Sequence, residues 1–340
     1  MIVRFGYVAM SMNVANASPS KTMTATMFSK IGDREAALRK LTRIAEENLQ
    51  NTLRILRHNR AHDIHVFRFS SRLVPLVTHL VTEGWEPFSA LAERFQDIGD
   101  YVRLHKMRTS LHPDHFTVLT TPRSEVLRTS LADLEHQSRM LTAMGLDERA
   151  KCNIHIGGTY GDKSVAIARF RERFPELKPE VRHRLTLEND DKTYTARETL
   201  DFAEEIGVPM VLDIHHHQVN PGMGDHLEEL WSRIRRTWER NEEDIFSRFP
   251  LLQAGGPGEL SPPKIHSSSP RDEQNLRAHA DYVESAPLYS FLRMIAADTP
   301  RLDVMIEAKK KDEALFALMN DLSKLPDVRR MDGATIEIKG

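Results

Sequence analysis

The chain has 340 residues, a formal charge of −2, 40% hydrophobic and 28% charged residues, a balance that indicates a soluble globular protein with no global basic signature, so a polyanion would have to be met by a local patch. One cysteine, Cys152, excludes an internal disulfide framework and suits a reducing compartment. No apolar run approaches the roughly 20 residues needed to span a bilayer, and MIVRFGYVAM lacks the order of a signal peptide, so a cytoplasmic protein is expected.

Short apolar or β-branched runs alternate with longer segments of helical spacing, the pattern of parallel β/α units. In chain order the expected strands are Ile2–Ala9, His65–Ser71, Arg108–His112, Lys151–Gly157, Arg184–Asn189, Pro209–His215, Lys264–Ser268 and Asp303–Ala308. After the first, Leu38, Leu41, Ala45, Leu49, Leu53 and Leu56 recur every three or four residues and predict an amphipathic helix. Val126, Leu127, Leu131, Leu134, Met140 and Leu141 predict another, as do Leu200, Phe202, Ala203 and Ile206, and then Leu315, Leu318, Met319 and Leu322. Thr195 precedes the helix carrying Glu198, where a capping box can close. Eight strands alternating with about eight helices is the count of a (β/α)8 TIM barrel, usually about 250 residues before insertions. Periodicity alone leaves an open doubly wound sheet as the alternative. A single domain over 1–340 is expected, with an inserted loop and helix at about 218–263 that ends in QAGGPGELSPP. That insertion carries Trp231 and Trp238 and is either a DNA-facing flap or a packed helix; its apolar spacing favours the helix.

The strands end on a chemical repetition. Strand three closes on His112, strand four on His155, strand five on Glu188, and strand six on Asp213 followed by His216 in MVLDIHHHQ. Strand seven offers Lys264 and His266, strand eight Glu307. Barrels and doubly wound sheets both place their sites at the carboxyl ends of parallel strands. Any one of these residues has an ordinary explanation: a hydrogen-bonded strand-end histidine, or a helix N-cap in the case of Asp213. Together they need cations, because uncompensated buried charges cost several kcal/mol each. Imidazoles and carboxylates without thiolate suit Zn²⁺, Mn²⁺ or Fe²⁺, and the number of ligands points to two or three ions. Such a cluster can polarise a sugar carbonyl or hydroxyl, or ready water for attack on a phosphodiester. The chain has no GxxxxGK[ST], GxSxG or HExxH, which disfavours P-loop hydrolysis and serine esterase chemistry.

The segments RFGYV, RFSSRLVPLVTH, SLHPDHF, NIHIGG with YGDK, TLENDDKTYT, LDIHHH, PKIHSSSPR, RAHADY and MIEAKKKD span nearly the whole chain. In this combination the chain resembles the UV damage endonucleases, DNA repair enzymes with a metal-bearing TIM barrel related to endonuclease IV. The resemblance implies metal ligands at His79, His112, His155, Glu188, Asp213, His216, His266, His279 and Glu307. Of these, only His79 and His279 lie outside the strand-end series. It also implies two or three divalent ions, Mn²⁺ first among Zn²⁺, Co²⁺ and Mg²⁺, and hydrolysis immediately 5′ to cyclobutane dimers and 6-4 photoproducts, with abasic sites as further substrates. Glu188, Lys264 and Glu307 are the expected catalytic groups. Lys264 shares a strand face with His266, and a metal-rich pocket favours carbamylation of its amine; an intact mass lacking the added CO₂ in the metal-loaded enzyme would argue against that.

The partner implied is double-stranded DNA containing UV lesions, bound by a monomer without a membrane. Phosphate contacts are expected from Arg68, Arg72, Lys163, Lys192, Arg271 and Lys309–Lys311, at or just after strand ends. A photodimer stacks poorly, so extruding it costs less than flipping normal bases, and a wedge can fill the gap. Phe116 keeps the family's wedge aromatic, whereas His115 stands where the family has glutamine. Tyr7 matches the tyrosine near the lesion pocket, with Ser11 in place of a polar amide. The rivals are a sugar isomerase or epimerase of similar barrel form, a pure abasic-site nuclease, and a non-catalytic damaged-DNA-binding protein.

Overall fold

A computed structural model describes residues 1–249 and 261–339, so most of the Gly/Pro-rich stretch lies outside the described residues. Eight parallel strands close a ring: β1 (Ile2–Val8), β2 (Val66–Arg68), β3 (Arg108–Leu111), β4 (Lys151–His155), β5 (Leu185–Glu188), β6 (Met210–Asp213), β7 (Lys264–Ser267) and β8 (Arg301–Ile306). The ring closes because β1 pairs with β8 on one side and with β2 on the other. This is the expected (β/α)8 TIM barrel, with seven strands shorter than the apolar runs that announced them and β8 of the expected length but beginning two residues earlier.

Two further strands follow the helix Lys311–Leu322. β9 (Val328–Arg330) and β10 (Thr335–Ile338) form an antiparallel hairpin, and β10 pairs with Ile2–Arg4 while Gly6–Val8 pair with β2. The start of β1 overhangs β2, and β10 satisfies the backbone edge left there. Gly6 permits the neighbouring contact, since a Cβ on it would lie 2.1 Å from the Val66 carbonyl oxygen.

The helices form where the spacing predicts them. Arg34–Ala61 begins at Asp33, whose carboxylate accepts from the Glu35 and Ala36 amides, and it buries Ala37, Leu41, Ala45, Leu49 and Leu56. Ala196–Ile206 begins with the Thr195–Glu198 capping box and stops at Gly207, in the left-handed conformation at φ 73°. Leu227–Arg248 packs against β6: the Trp238 indole donates to the Met210 carbonyl at 2.7 Å and the Trp231 indole to Thr299 at 2.8 Å. Both rings are buried. No helix among the described residues is long and apolar enough to cross a membrane.

The main apolar core lies between the strands and the helices, while the inside of the ring is mostly polar. Strand alternation sends Arg4, Arg108 and Asp303 inward at the amino-terminal end of the ring. Asp303 is fully buried, with Arg4 on both oxygens at 2.8 and 2.9 Å and Arg108 at 2.7 Å. Above it Val8, Val66 and Met305 make a small separate apolar cluster. The next inward positions are the carboxyl ends of the strands.

Candidate metal centre

At that end the ring gathers six of the expected residues around a seventh, the carboxylate of Glu188. Glu188 is shared by three groups of ligand atoms, each lying within 4.8 Å of one another: His112 and His155; His266 and Glu307; Asp213 and His216. Parallel pairing in register produces the convergence, with His155 opposite Glu188 and Asp213 opposite His266.

The imidazoles are aimed. His112 Nδ1 lies 2.9 Å from the Pro113 carbonyl, His155 Nδ1 3.3 Å from the Glu188 carbonyl, and His216 Nδ1 2.9 Å from the Asn189 carbonyl. A carbonyl only accepts, so in all three rings Nδ1 carries a proton and Nε2 is the nitrogen left to bind an ion once any second proton has gone, the arrangement common in metal-bound histidines. His266 is set differently. Its buried Nδ1 lies 3.1 Å from both Glu188 Oε1 and Glu307 Oε1 yet is angled to make a hydrogen bond with neither. Asp213 caps the short helix Ile214–Val219 by accepting from the His216 amide at 2.8 Å, and its buried Oδ2 has no hydrogen-bond partner. Asp213 thus serves both as N-cap and as a donor left open.

Orphaned buried atoms of this kind, in a set of imidazoles and carboxylates, fit divalent cations. Titration agrees. Burial lowers the His266 pKa, but Glu188 and Glu307 outweigh it and hold the ring up at about 9. Burial likewise opposes the His216 proton, and Asp213 and Glu188 raise its pKa to about 9. Burial would raise Glu188, yet His266 and His155 pull it well below the usual carboxylate range. Without ions, protons on His216 and His266 supply compensating charge; binding of ions would release them.

The other expected residues divide. His279 stands at the edge, with Nδ1 3.8 Å from Glu307 Oε2 and its ring 6.3 Å from that of His216. His79 is not brought into the groups: it is exposed and its Nδ1 accepts from the Val81 amide, capping the turn Leu80–Thr82. Lys264 is buried on the inner face below His266, and burial together with Arg108 pushes its ammonium well below the usual lysine value. Arg68 faces into the ring and pairs with Glu307, so it balances the cluster's charge and presents no open phosphate contact. Tyr7 is corrected in the same way. Its register sends it outward between strands and helices, fully buried, with its hydroxyl donating to Asn59, which leaves no surface for a base.

On the loops, His115 and Phe116 are exposed, with His115 Nδ1 2.7 Å from Asp114 Oδ1. Lys192 and Lys309 are exposed. Arg271 and Arg72 are also exposed, each beside an aspartate, Asp272 at 3.3 Å and Asp114 at 3.1 Å. Lys163 is already engaged, 2.7 Å from both Glu198 oxygens.

Several positioning residues escaped the sequence reading. Asn153, two before His155 on the same inner face, donates to Glu188 and accepts from Thr186 at 2.7 Å. Asn189 exchanges two hydrogen bonds with the Asp213 backbone, at 2.9 and 3.0 Å. His215 has both nitrogens occupied, Nδ1 accepting from Ser268 and Nε2 donating to the Leu276 carbonyl, each at 2.7 Å, which pins the β7 loop. Asn48 ties the β1 and β2 loops together through the Lys21 backbone and the Leu73 carbonyl. A polar residue at strand alternation or on a helix's inner face is the available signal for such roles, but it does not reveal the partner.

The family model described as UV-endonuclease UvdE matches residues 3–339. A protein of Halalkalibacterium halodurans named UV DNA damage endonuclease is 44% identical over 338 residues, covering 99% of each chain. Among solved structures, SacUVDE superposes with a TM-score of 0.78 at 26% identity, covering 95% of this chain and 98% of that one. Endonuclease IV from Thermus thermophilus shares the fold at a TM-score of 0.53 and 12% identity, covering 95% of this chain and all of that one. With a family model matched along almost its whole length and a relative of that identity, the chain belongs to the UV-endonuclease UvdE family.

Proposed function

We propose that the protein is a metal-dependent DNA repair endonuclease that hydrolyses the phosphodiester immediately 5′ to UV photoproducts, leaving a 3′-hydroxyl and a 5′-phosphate, and that it also cuts at abasic sites. The observation that carries this is the convergence of three donor groups on Glu188 in a chain of this family. Two or three divalent ions held there, Mn²⁺ first, would lower the pKa of a water and neutralise charge building on the phosphate.

The chain's own contributions follow from the geometry. Glu188 spans the three positions; the carbonyls of Pro113, Glu188 and Asn189 keep three Nε2 atoms free; Asp213 offers an unengaged oxygen. Arg68 offsets the charge of Glu307. Lys264, whose hold on its proton burial and Arg108 weaken, is suited to taking up CO₂ as a carbamate with release of a proton, which the intact mass checks. Lys309 and Arg271 are available to phosphates, and His115 and Phe116 form the wedge at a distorted step. His79 is omitted from the ligand set.

The test is an end-labelled duplex carrying one thymine dimer, incubated with Mn²⁺ or with chelator. One nick immediately 5′ to the dimer is expected with Mn²⁺ and none with chelator. Binding of the dimer without a nick in Mn²⁺ would favour a silent damage-binding protein. Metal-dependent isomerisation of a sugar with no nick would favour the isomerase reading.

A further inference from the structure

The loop after β4, NIHIGGTYGDK, carries an aromatic that none of the assignments above uses. Tyr160 is exposed and adopts φ 51°, a left-handed conformation that is a genuine outlier for a bulky residue. Such conformations persist only where their surroundings enforce them, and they cluster at ligand sites. The surroundings here do enforce it. Gly157 at φ 113° and Gly161 at φ 97° bracket the turn, and a Cβ on Gly157 would lie 2.8 Å from Thr120 Oγ1. The β4 loop is therefore pressed onto the loop after β3.

That neighbouring loop bears Phe116, and the helix Lys163–Arg173 locks the two together. Arg169 donates to the Thr120 carbonyl at 2.6 Å, and Arg173 donates to the Leu119 and Thr121 carbonyls at 2.5 and 2.7 Å. The Arg169 guanidinium lies 5.9 Å from the centre of the Tyr160 ring, and a Cβ on Gly158 would meet that ring at 3.4 Å. The ring is thus supported from within its own loop, while its hydroxyl has no hydrogen bond among the described residues. His155, five residues before Tyr160, and His112, four residues before Phe116, belong to one ligand group. Two exposed aromatics thus sit on braced, adjoining loops that follow two histidines of one ligand group.

We propose that Tyr160 is a second stacking residue, receiving the face of a nucleobase where the bound duplex is distorted and working with Phe116 to fix the DNA over the Glu188 cluster. This rests on the endonuclease reading. A ring held in place before binding loses little freedom on contact, and stacking tolerates any base because every base has a π-face.

The experiment compares the Mn²⁺-loaded wild type with Tyr160→Gly, Tyr160→Asn and Tyr160→Phe on the single-dimer duplex, measuring kcat, KM and thermal midpoint. Gly and Asn both accept positive φ, so their midpoints should not fall. Their KM should rise about 5- to 100-fold, the range one stacked base covers, with kcat held to within about threefold. Phe should restore KM to within about twofold of wild type, since it keeps the ring. A KM unchanged in Gly and Asn, or Phe as impaired as Gly, overturns the role of Tyr160 and leaves the endonuclease intact. A wild type that makes no nick overturns both.

Discussion

Glu188→Gln is expected to lower kcat/KM for incision at a thymine dimer by at least about 10²–10³-fold, the scale on which removal of one electrostatic stabiliser acts. The amide keeps the size and the contact with Asn153 but removes the charge that all three ligand groups share. Each group keeps its imidazoles or second carboxylate and loses its common anion, so ions in all three positions are weakened together. The proposed DNA contacts lie on loops away from this side chain, and binding of the lesion duplex should persist. Metal content by mass spectrometry and fluorescence anisotropy read the two consequences separately. Incision within tenfold of wild type would show that the cluster is not the reacting centre.

The second large effect is on stability. Asp303→Asn leaves Arg108, buried at the amino-terminal end of the ring, and Arg4 without their shared anion. Removing one partner of a buried ion pair costs about 3–5 kcal/mol, which lowers the thermal midpoint by about 4–7 °C in a protein of this size. The pH dependence has a definite sign. Burial opposes the Asp303 charge, but Arg4 and Arg108 outweigh it and hold the folded pKa below its ordinary value. A depressed carboxylate stabilises above its unfolded pKa, near about 3.9. That contribution is lost as pH falls through the still lower folded value. Thermal unfolding of both proteins should therefore show the wide gap at pH 7 narrowing only below about pH 4. A gap independent of pH in that range would mean that packing, and not charge, makes the site.

The barrel and most of its cluster were legible because strands three to eight each ended on a residue whose burial needs explaining, and the coincidence of His112, His155, Glu188, Asp213, His266 and Glu307 has few explanations. The facing of residues was only partly legible. β1 sets Arg4, Gly6 and Val8 on its inner face and Phe5 and Tyr7 on its outer one, so the alternation in RFGYV already turns Tyr7 outward, against what the resemblance implies. Arg68 at a strand end suggested surface charge, but Val8 pairs with it in register and sends it into the ring toward Glu307. His215 and His216 are adjacent in HHH, and helical geometry separates their fates: one pins a loop through both nitrogens, the other keeps Nε2 open. His79 followed from resemblance alone, and its exposed, capping position supplies no physical support. The C-terminal hairpin gave no signal because its need arises from the overhang of β1, a property of the closed ring.

The most direct test of the account is an anomalous difference map at the manganese edge from crystals grown with Mn²⁺. It predicts two or three peaks, each within coordination distance of one of the groups His112–His155, His266–Glu307 and Asp213–His216, with Glu188 beside them all. Ordered manganese only elsewhere, with Glu188 bound to none of it, would contradict the account.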